Sequence, residues 1–343
     1  MRRFTSHPSG RLTARFPASC HRLGFTLVEM LVVISIMVIL VTVTATAIVP
    51  ATSSRRSREA ARSLNVYLSS ARNRAMETGR PCGVILHRLS STSACSLSID
   101  QCEVPPNYSG DLETSYAEVT TASGSATAKL SDGTPSLVHV GDVVQFNYQG
   151  PYFSITSATS HDADTLVVTT DTLTLSYDTS QGQLVPSWSA RKLPYRIFRT
   201  PVKGAASPLQ LPAGTVVDLG ASGTDTTPSW GAVNITILFS PNGSVQTVYT
   251  GTTAYTVLEP IYLMIGKRER VGNSFVSSPS SANRTSWPNY QDLDNVWLTI
   301  NPQSGLVATS PVAAITIGSV STAADAIRAA RSLASDAQGM GGR

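Results

Sequence analysis

From Phe25 to Val49 the chain runs without a charge except Glu29, and Pro50, Arg55, Arg56 and Arg58 follow closely. At about 1.5 Å per residue this run makes roughly 37 Å of helix, enough to cross a hydrocarbon core with some tilt. A helix apolar on every side must be covered, by lipid or by other helices. A cleaved secretory signal fits poorly, because its apolar region spans only about 7–15 residues and ends in an Ala-x-Ala-like site. The carboxylate is the informative departure. In a bilayer it costs roughly 2.5–3.5 kcal/mol at the helix centre, less near the interface, and asks for a partner. A cut after Gly24 would give Phe25 a free ammonium four residues before Glu29. At about 4 Å and an effective dielectric near 20, such a pair attracts by about 4 kcal/mol.

Charge is unevenly placed. Of 343 residues 14% are charged, against about 25% in a typical soluble domain, and the net charge is +4. Arg2, Arg3, Arg11, Arg15 and Arg22 all precede Gly24, where no acid occurs. Without those five, the 26 basic residues fall to 21 against 22 acidic ones. The remainder is near neutral, which argues against a nucleic-acid binder, and four cysteines are too few for a disulfide-dense scaffold.

The segment Arg22-Leu23-Gly24-Phe25-Thr26-Leu27-Val28-Glu29-Met30-Leu31 resembles the class III signal of type IV pilins and type II secretion pseudopilins. The resemblance implies cleavage between Gly24 and Phe25 by a membrane prepilin peptidase and N-methyltransferase, and N-methylation of Phe25. It also implies a role for Glu29 in assembly and axial register. The implied placement is a single pass through the inner membrane, leader inside and remainder periplasmic. The implied partners are other pseudopilins and an inner-membrane assembly platform. Counting arginines alone barely decides orientation, since Arg55, Arg56, Arg58 and Arg62 follow the run.

Ser57 to Thr78 continues as a helix. Leu64, Tyr67, Leu68, Ala71 and Ala75 recur at three- and four-residue spacing, Gly79 can cap the end, and Pro81 blocks continuation. Beyond it the period changes. Gly83–Leu86, Val138–Tyr148, Tyr152–Ile155, Thr165–Thr169 and Leu173–Tyr177 read as strands. So do Tyr195–Arg199, Thr215–Leu219, Val233–Phe239, Ser244–Tyr249, Ile261–Ile265 and Trp297–Asn301. Ser240-Pro241-Asn242-Gly243 is a hairpin turn. No long helical pattern separates these runs, so antiparallel pairing is expected.

Ala71-Arg72-Asn73-Arg74-Ala75 with Gly79-Arg80-Pro81, Phe239-Ser240-Pro241-Asn242-Gly243, and Ile300-Asn301-Pro302-Gln303-Ser304-Gly305 resemble the H-type minor pseudopilins (the GspH/FimT-like group). The expected fold is α+β: a long N-terminal membrane-spanning helix packed on an antiparallel β-sheet or β-sandwich domain with a β-rich insertion. Its parts are a basic leader at 1–24, a membrane and assembly helix at 25–50, and an amphipathic continuation at 51–80. A β-rich domain at 81–320 carries the insertion at about 88–192, and an Ala-rich short helix with a frayed tail occupies 321–343.

Enzyme signatures are missing. His87, His139 and His161 stand at no metal-ligand spacing, and no nucleophile elbow or phosphate loop occurs, so no metal, cofactor or catalytic residue is expected. Asp292 and Asp294 read as a solvated turn, and Lys267-Arg268-Glu269-Arg270 as an exposed hairpin tip. Cys20 leaves with the leader. Cys95 and Cys102 enclose a short polar stretch and are either a disulfide or two free thiols, while Cys82 reads as a small buried side chain. The function expected is a structural minor pseudopilin of a type II secretion or type IV pilus-like fibre. The alternatives are a DNA-binding minor pilin for DNA uptake and an envelope-anchored binding module. Against DNA uptake, Gly305 is followed by Leu306, Val307, Ala308 and Thr309, without the arginines that DNA-binding relatives carry there.

Overall fold

A computed structural model describes residues 25–122, 125–131, 137–149, 151–159, 172–176, 191–231, 233–278, 281–316, 318, 320 and 322–340. The leader at 1–24, the strand expected at 165–169, His161 and the chain end at 341–343 lie outside them, as do the side chains of 43–53. Two compact units divide the chain, Met1–Ala51 and Thr52–Arg343.

Helix α1 is Leu27–Thr78. The strands are β1 (Cys82–Arg88), β2 (Cys95–Glu103), β3 (Ala117–Ala122), β4 (Ser125–Leu130), β5 (Val143–Phe146), β6 (Tyr152–Thr159), β7 (Thr172–Leu175), β8 (Lys192–Leu193) and β9 (Tyr195–Phe198). They continue with β10 (Val202–Lys203), β11 (Leu209–Gln210), β12 (Thr215–Gly223), β13 (Ile235–Phe239), β14 (Val245–Thr250), β15 (Thr253–Tyr255), β16 (Ile261–Lys267), β17 (Val296–Ile300) and β18 (Val307–Pro311). Helices α2 (Ala323–Ala330) and α3 (Ser332–Met340) end the order.

In the larger unit, one antiparallel sheet runs β15-β14-β13-β1-β2-β12-β16-β17-β18, with β10 and β11 also paired to β2. The helix stripe Ala60, Ala61, Leu64, Leu68, Ala71 and Ala75 is buried against Val84, Leu86, Ile237, Phe239, Leu263 and Leu298. Because side chains alternate across a strand, Tyr262, Met264 and Trp297 face the other way. There they pack with Ala326, Ile327, Ala330 and Ala334 of α2 and α3. The fold is α+β, and this sheet lies between helices on both faces instead of pairing with a second sheet as a sandwich. The amphipathic stripe therefore lands where the sequence placed it. Gly79, at φ +65, ends α1 by donating its amide to Ala75 O at 3.1 Å.

The second sheet runs β8-β3-β4-β7-β6-β5-β9. Its two edges are one segment broken at Pro194: Lys192–Leu193 pairs with β3, and Tyr195–Phe198 pairs with β5. The sheet thus curls back on itself and encloses its own core of Val119, Ala128, Val144, Phe153, Leu173 and Ile197. The excursion from the first sheet begins after β2 and ends at β10. It therefore spans 104–201, where the sequence suggested about 88–192. Val202 pairs with Glu103, and Lys203 with Cys102.

Candidate functional site

In the first unit, Thr26 caps α1: its hydroxyl oxygen accepts the Glu29 amide at 3.2 Å, and its carbonyl accepts the Met30 amide at 3.2 Å. Thr-x-x-Glu is capping-box spacing, so the start of this helix is marked in the sequence. The carboxylate of Glu29 sits in the first turn, where the helix dipole favours negative charge. From Phe25 to Val41 the large apolar side chains are exposed on all sides, and Glu29 is the one charge among them. Gly24 lies outside the described residues. The span expected over 25–50 also runs into 43–50, whose side chains are not described. Among the described residues, no helix is long and apolar enough to cross a membrane.

In the second unit, the three segments that resembled H-type pseudopilins meet. Arg72 on α1 donates from Nε to Gly243 O at 3.1 Å and to Ser304 O at 3.0 Å. The Val245 amide donates to Pro302 O at 2.8 Å, and Gly305 approaches so closely that an added Cβ would lie 2.0 Å from Gly243 O. Gly243 and Gly305 both have positive φ, +87 and +64. This arrangement joins helix, hairpin and last turn. The strand β18 that follows carries no basic side chain.

Two readings of charged segments are corrected. Asp292 is fully buried, not a solvated turn, and the Lys267–Arg270 stretch is an exposed tip only in part: Arg268 and Glu269 are exposed, while Lys267 is half-buried and Arg270 buried. Asp292 accepts from Lys267 at 3.0 Å, Arg270 at 2.5 Å and Arg284 at 2.9 Å, while Arg284 also reaches Asp294 at 2.5 Å. Burial works to raise the Asp292 pKa, but the hydrogen bonds from Arg284 and Lys267 and the charge of Arg270 hold it below the usual carboxylate range. Nearby Asp218 is buried, with no cation paired to it among the described residues. Burial pushes it up to about 6, against hydrogen bonds from Asn289 (2.8 Å) and Gly220 (3.1 Å).

Of the two alternatives for Cys95 and Cys102, the structure has the free thiols. Cys82, Cys95 and Cys102 are free and buried. Cys95 and Cys102 lie seven residues apart on β2, roughly 20 Å at strand rise, whereas a disulfide needs Cα atoms within about 7 Å. Burial raises the Cys102 thiol far above its ordinary range.

Sequence reasoning gave no hint of Arg331. Its guanidinium is buried between the rings of Tyr262 and Trp297, at 4.8 and 5.0 Å. It donates to the carbonyls of Thr224 (2.7 Å), Ala221 (2.7 Å) and Pro228 (2.6 Å). Burial lowers its pKa to about 10, so it remains a cation at neutral pH. Trp297 Nε1 donates to Ala330 O at 3.0 Å, completing the clamp on the C-terminal helices.

No curated protein and no solved structure matches the chain. One family model does, the prokaryotic N-terminal methylation motif, over residues 20–45. The chain carries, at the start of its exposed apolar helix, the prepilin-type signal of type IV pilins and pseudopilins.

Proposed function

We propose that this chain is a minor pseudopilin-type structural subunit of a type II secretion or type IV pilus-like fibre, of H type. In this reading a prepilin peptidase cuts between Gly24 and Phe25 and methylates Phe25. Glu29 then neutralises the ammonium of a neighbouring subunit and sets axial register as the apolar helices pack together. The helix waits in the inner membrane, and the β-rich part lies in the periplasm. The observation that carries the reading is the pairing of the prepilin-type motif with an apolar helix whose one charge is Glu29. A fully exposed apolar helix is stable only when covered, and a carboxylate within it only when partnered.

The H-type assignment rests on the meeting of three motifs around Arg72. No observation favours DNA uptake, since the residues after Gly305 are uncharged. The test is the N-terminus of the native polypeptide, read by mass spectrometry, in wild type and in Gly24→Glu. A wild-type chain beginning at methylated Phe25 and a variant retaining the leader are expected. Any other start sinks the reading.

A further inference from the structure

Where α1 enters the larger unit it carries a concentrated positive charge. Arg55, Arg56, Arg58 and Arg62 stand close together with Glu59 as the one acid among them, in a chain that is near neutral once the leader is set aside. All four arginines are exposed. Glu59 lies 3.9 Å from Arg62 with both side chains well exposed, a pair worth little. Among the described residues no carboxylate pairs with Arg55, Arg56 or Arg58. Like charges three residues apart on a helix repel, so the cluster stands against its own electrostatics.

The helix period places these side chains. Ser57, Ala60, Ala61 and Leu64 are buried and fix the inward face. At about 100° per residue, Arg55, Arg58 and Arg62 fall on the opposite face, with Arg56 on its flank. Side chains on a helix lean toward its N-terminus, so the arginines lean back toward the apolar run that ends at Val49. From Val49 to Arg55 is roughly 9 Å at helical rise. The polar layer of a bilayer is roughly 5–8 Å deep on each side. A long arginine stem bridges the difference and keeps its guanidinium among polar groups.

These two features together identify the occupant. A guanidinium offers a fork of donors that matches phosphate oxygens. Free phosphate would answer the charge but not its place, just past a run that needs cover from lipid or other helices. An anionic headgroup answers both, because cations beside a membrane helix are drawn to an anionic leaflet. We infer that Arg55, Arg56 and Arg58 bind the phosphate groups of anionic phospholipids, in the leaflet through which α1 leaves the membrane. The inference rests on the membrane placement proposed above.

The full-length chain is reconstituted in vesicles of equal phosphatidylglycerol and phosphatidylcholine, and the lipids it retains are identified by native mass spectrometry. Retained phosphatidylglycerol should exceed phosphatidylcholine in wild type. The excess should fall about fivefold or more in the triple variant Arg55→Gln, Arg56→Gln, Arg58→Gln. Comparing the two chains cancels whatever the leader arginines add. Arg80→Gln, at an exposed arginine beyond the end of α1, should retain lipid as wild type does. Wild type and triple variant should both stay with the vesicles in an alkaline wash and melt alike, since the replaced side chains are exposed. Wild type lost in that wash sinks the membrane placement and the inference with it. Wild type retained, with the same excess in the triple variant, overturns the inference alone. So does a triple variant that loses self-association and keeps its lipid, which would assign the arginines to acids of a neighbouring subunit.

Discussion

Arg72 Nε lies 3.1 Å from the carbonyl oxygen of Gly243, and the same N–H also reaches Ser304 O. One side chain near the end of α1 thereby holds the Pro-Asn-Gly hairpin against the last turn of the sheet. The space this leaves beneath Arg72 admits no side chain at Gly305.

Gly305→Ala places a Cβ into Gly243 O and forces alanine to φ +64. Left-handed backbone costs about 1–2 kcal/mol and overpacking about 1–3 kcal/mol, so a loss of about 2–5 kcal/mol in a denaturant melt is expected. Gly214→Ala, at φ +82 with open space around it, should lose only the backbone part. Equal losses would dismiss the close approach as the cause.

Glu29→Ala should still be cleaved and methylated, yet be incorporated into fibres about tenfold or more below wild type, the effect of losing about 1.4 kcal/mol. Quantitative blotting of sheared or crosslinked fibres measures this. Normal incorporation would remove the electrostatic role assigned to the residue.

The pH dependence of stability has a definite sign. Asp218, with its folded pKa raised to about 6, takes up a proton in the folded state before the unfolded chain does. Its contribution is fully present below about pH 4 and is lost as pH rises through about 6. Asp292 acts oppositely: its lowered pKa gives stability present above about pH 4 and lost at lower pH. Denaturant melts should therefore show stability rising between pH 7 and 5, by about 1 kcal/mol. The rise should vanish in Asp218→Asn, and persistence of the full rise in that variant would rule the residue out.

Thiol labelling without reductant should find Cys82, Cys95 and Cys102 all reactive after denaturation and slow beforehand, because all three are buried and free. Two fewer labels than cysteines after denaturation, with the remaining mass two units low, would restore the bridge.

Arg331→Met removes a cation whose partners are three carbonyls and two rings. A loss of about 2–4 kcal/mol is expected, with earlier proteolytic cutting between Thr322 and Met340. Arg331→Lys should recover little, since a compact ammonium cannot fork to three acceptors.

The parts legible in the sequence were those with a strong local period or turn chemistry. Leu64, Leu68, Ala71 and Ala75 announced the buried stripe of α1, and Asn242-Gly243 announced the β13–β14 turn. Strand β2 escaped because Ser96, Ser98, Asp100 and Gln101 gave it a polar look. The alternation of Leu97 and Ile99 was the available signal, and following it would also have kept Cys95 and Cys102 on one strand. Strands β3 and β4 escaped because Ala and Thr dominate them. Arg331 and Asp292 were beyond reach for another reason. Their partners are carbonyls, rings and cations brought together only by tertiary packing, and a linear pattern cannot encode that. The prepilin-type motif over residues 20–45 is of the opposite kind, a linear pattern legible in the chain's own order, and the roles proposed for Gly24, Phe25 and Glu29 rest on it.

The pairing of Glu103 with Val202 has a consequence for how such a chain can change. The excursion through 104–201 departs and returns at adjacent rungs of one ladder. Topologically it is an ordinary hairpin loop that happens to contain a folded body. Swapping that body for another, or for a two-residue turn, would leave the ladder's register untouched, so lineages could exchange what the subunit displays without rebuilding what holds it in place.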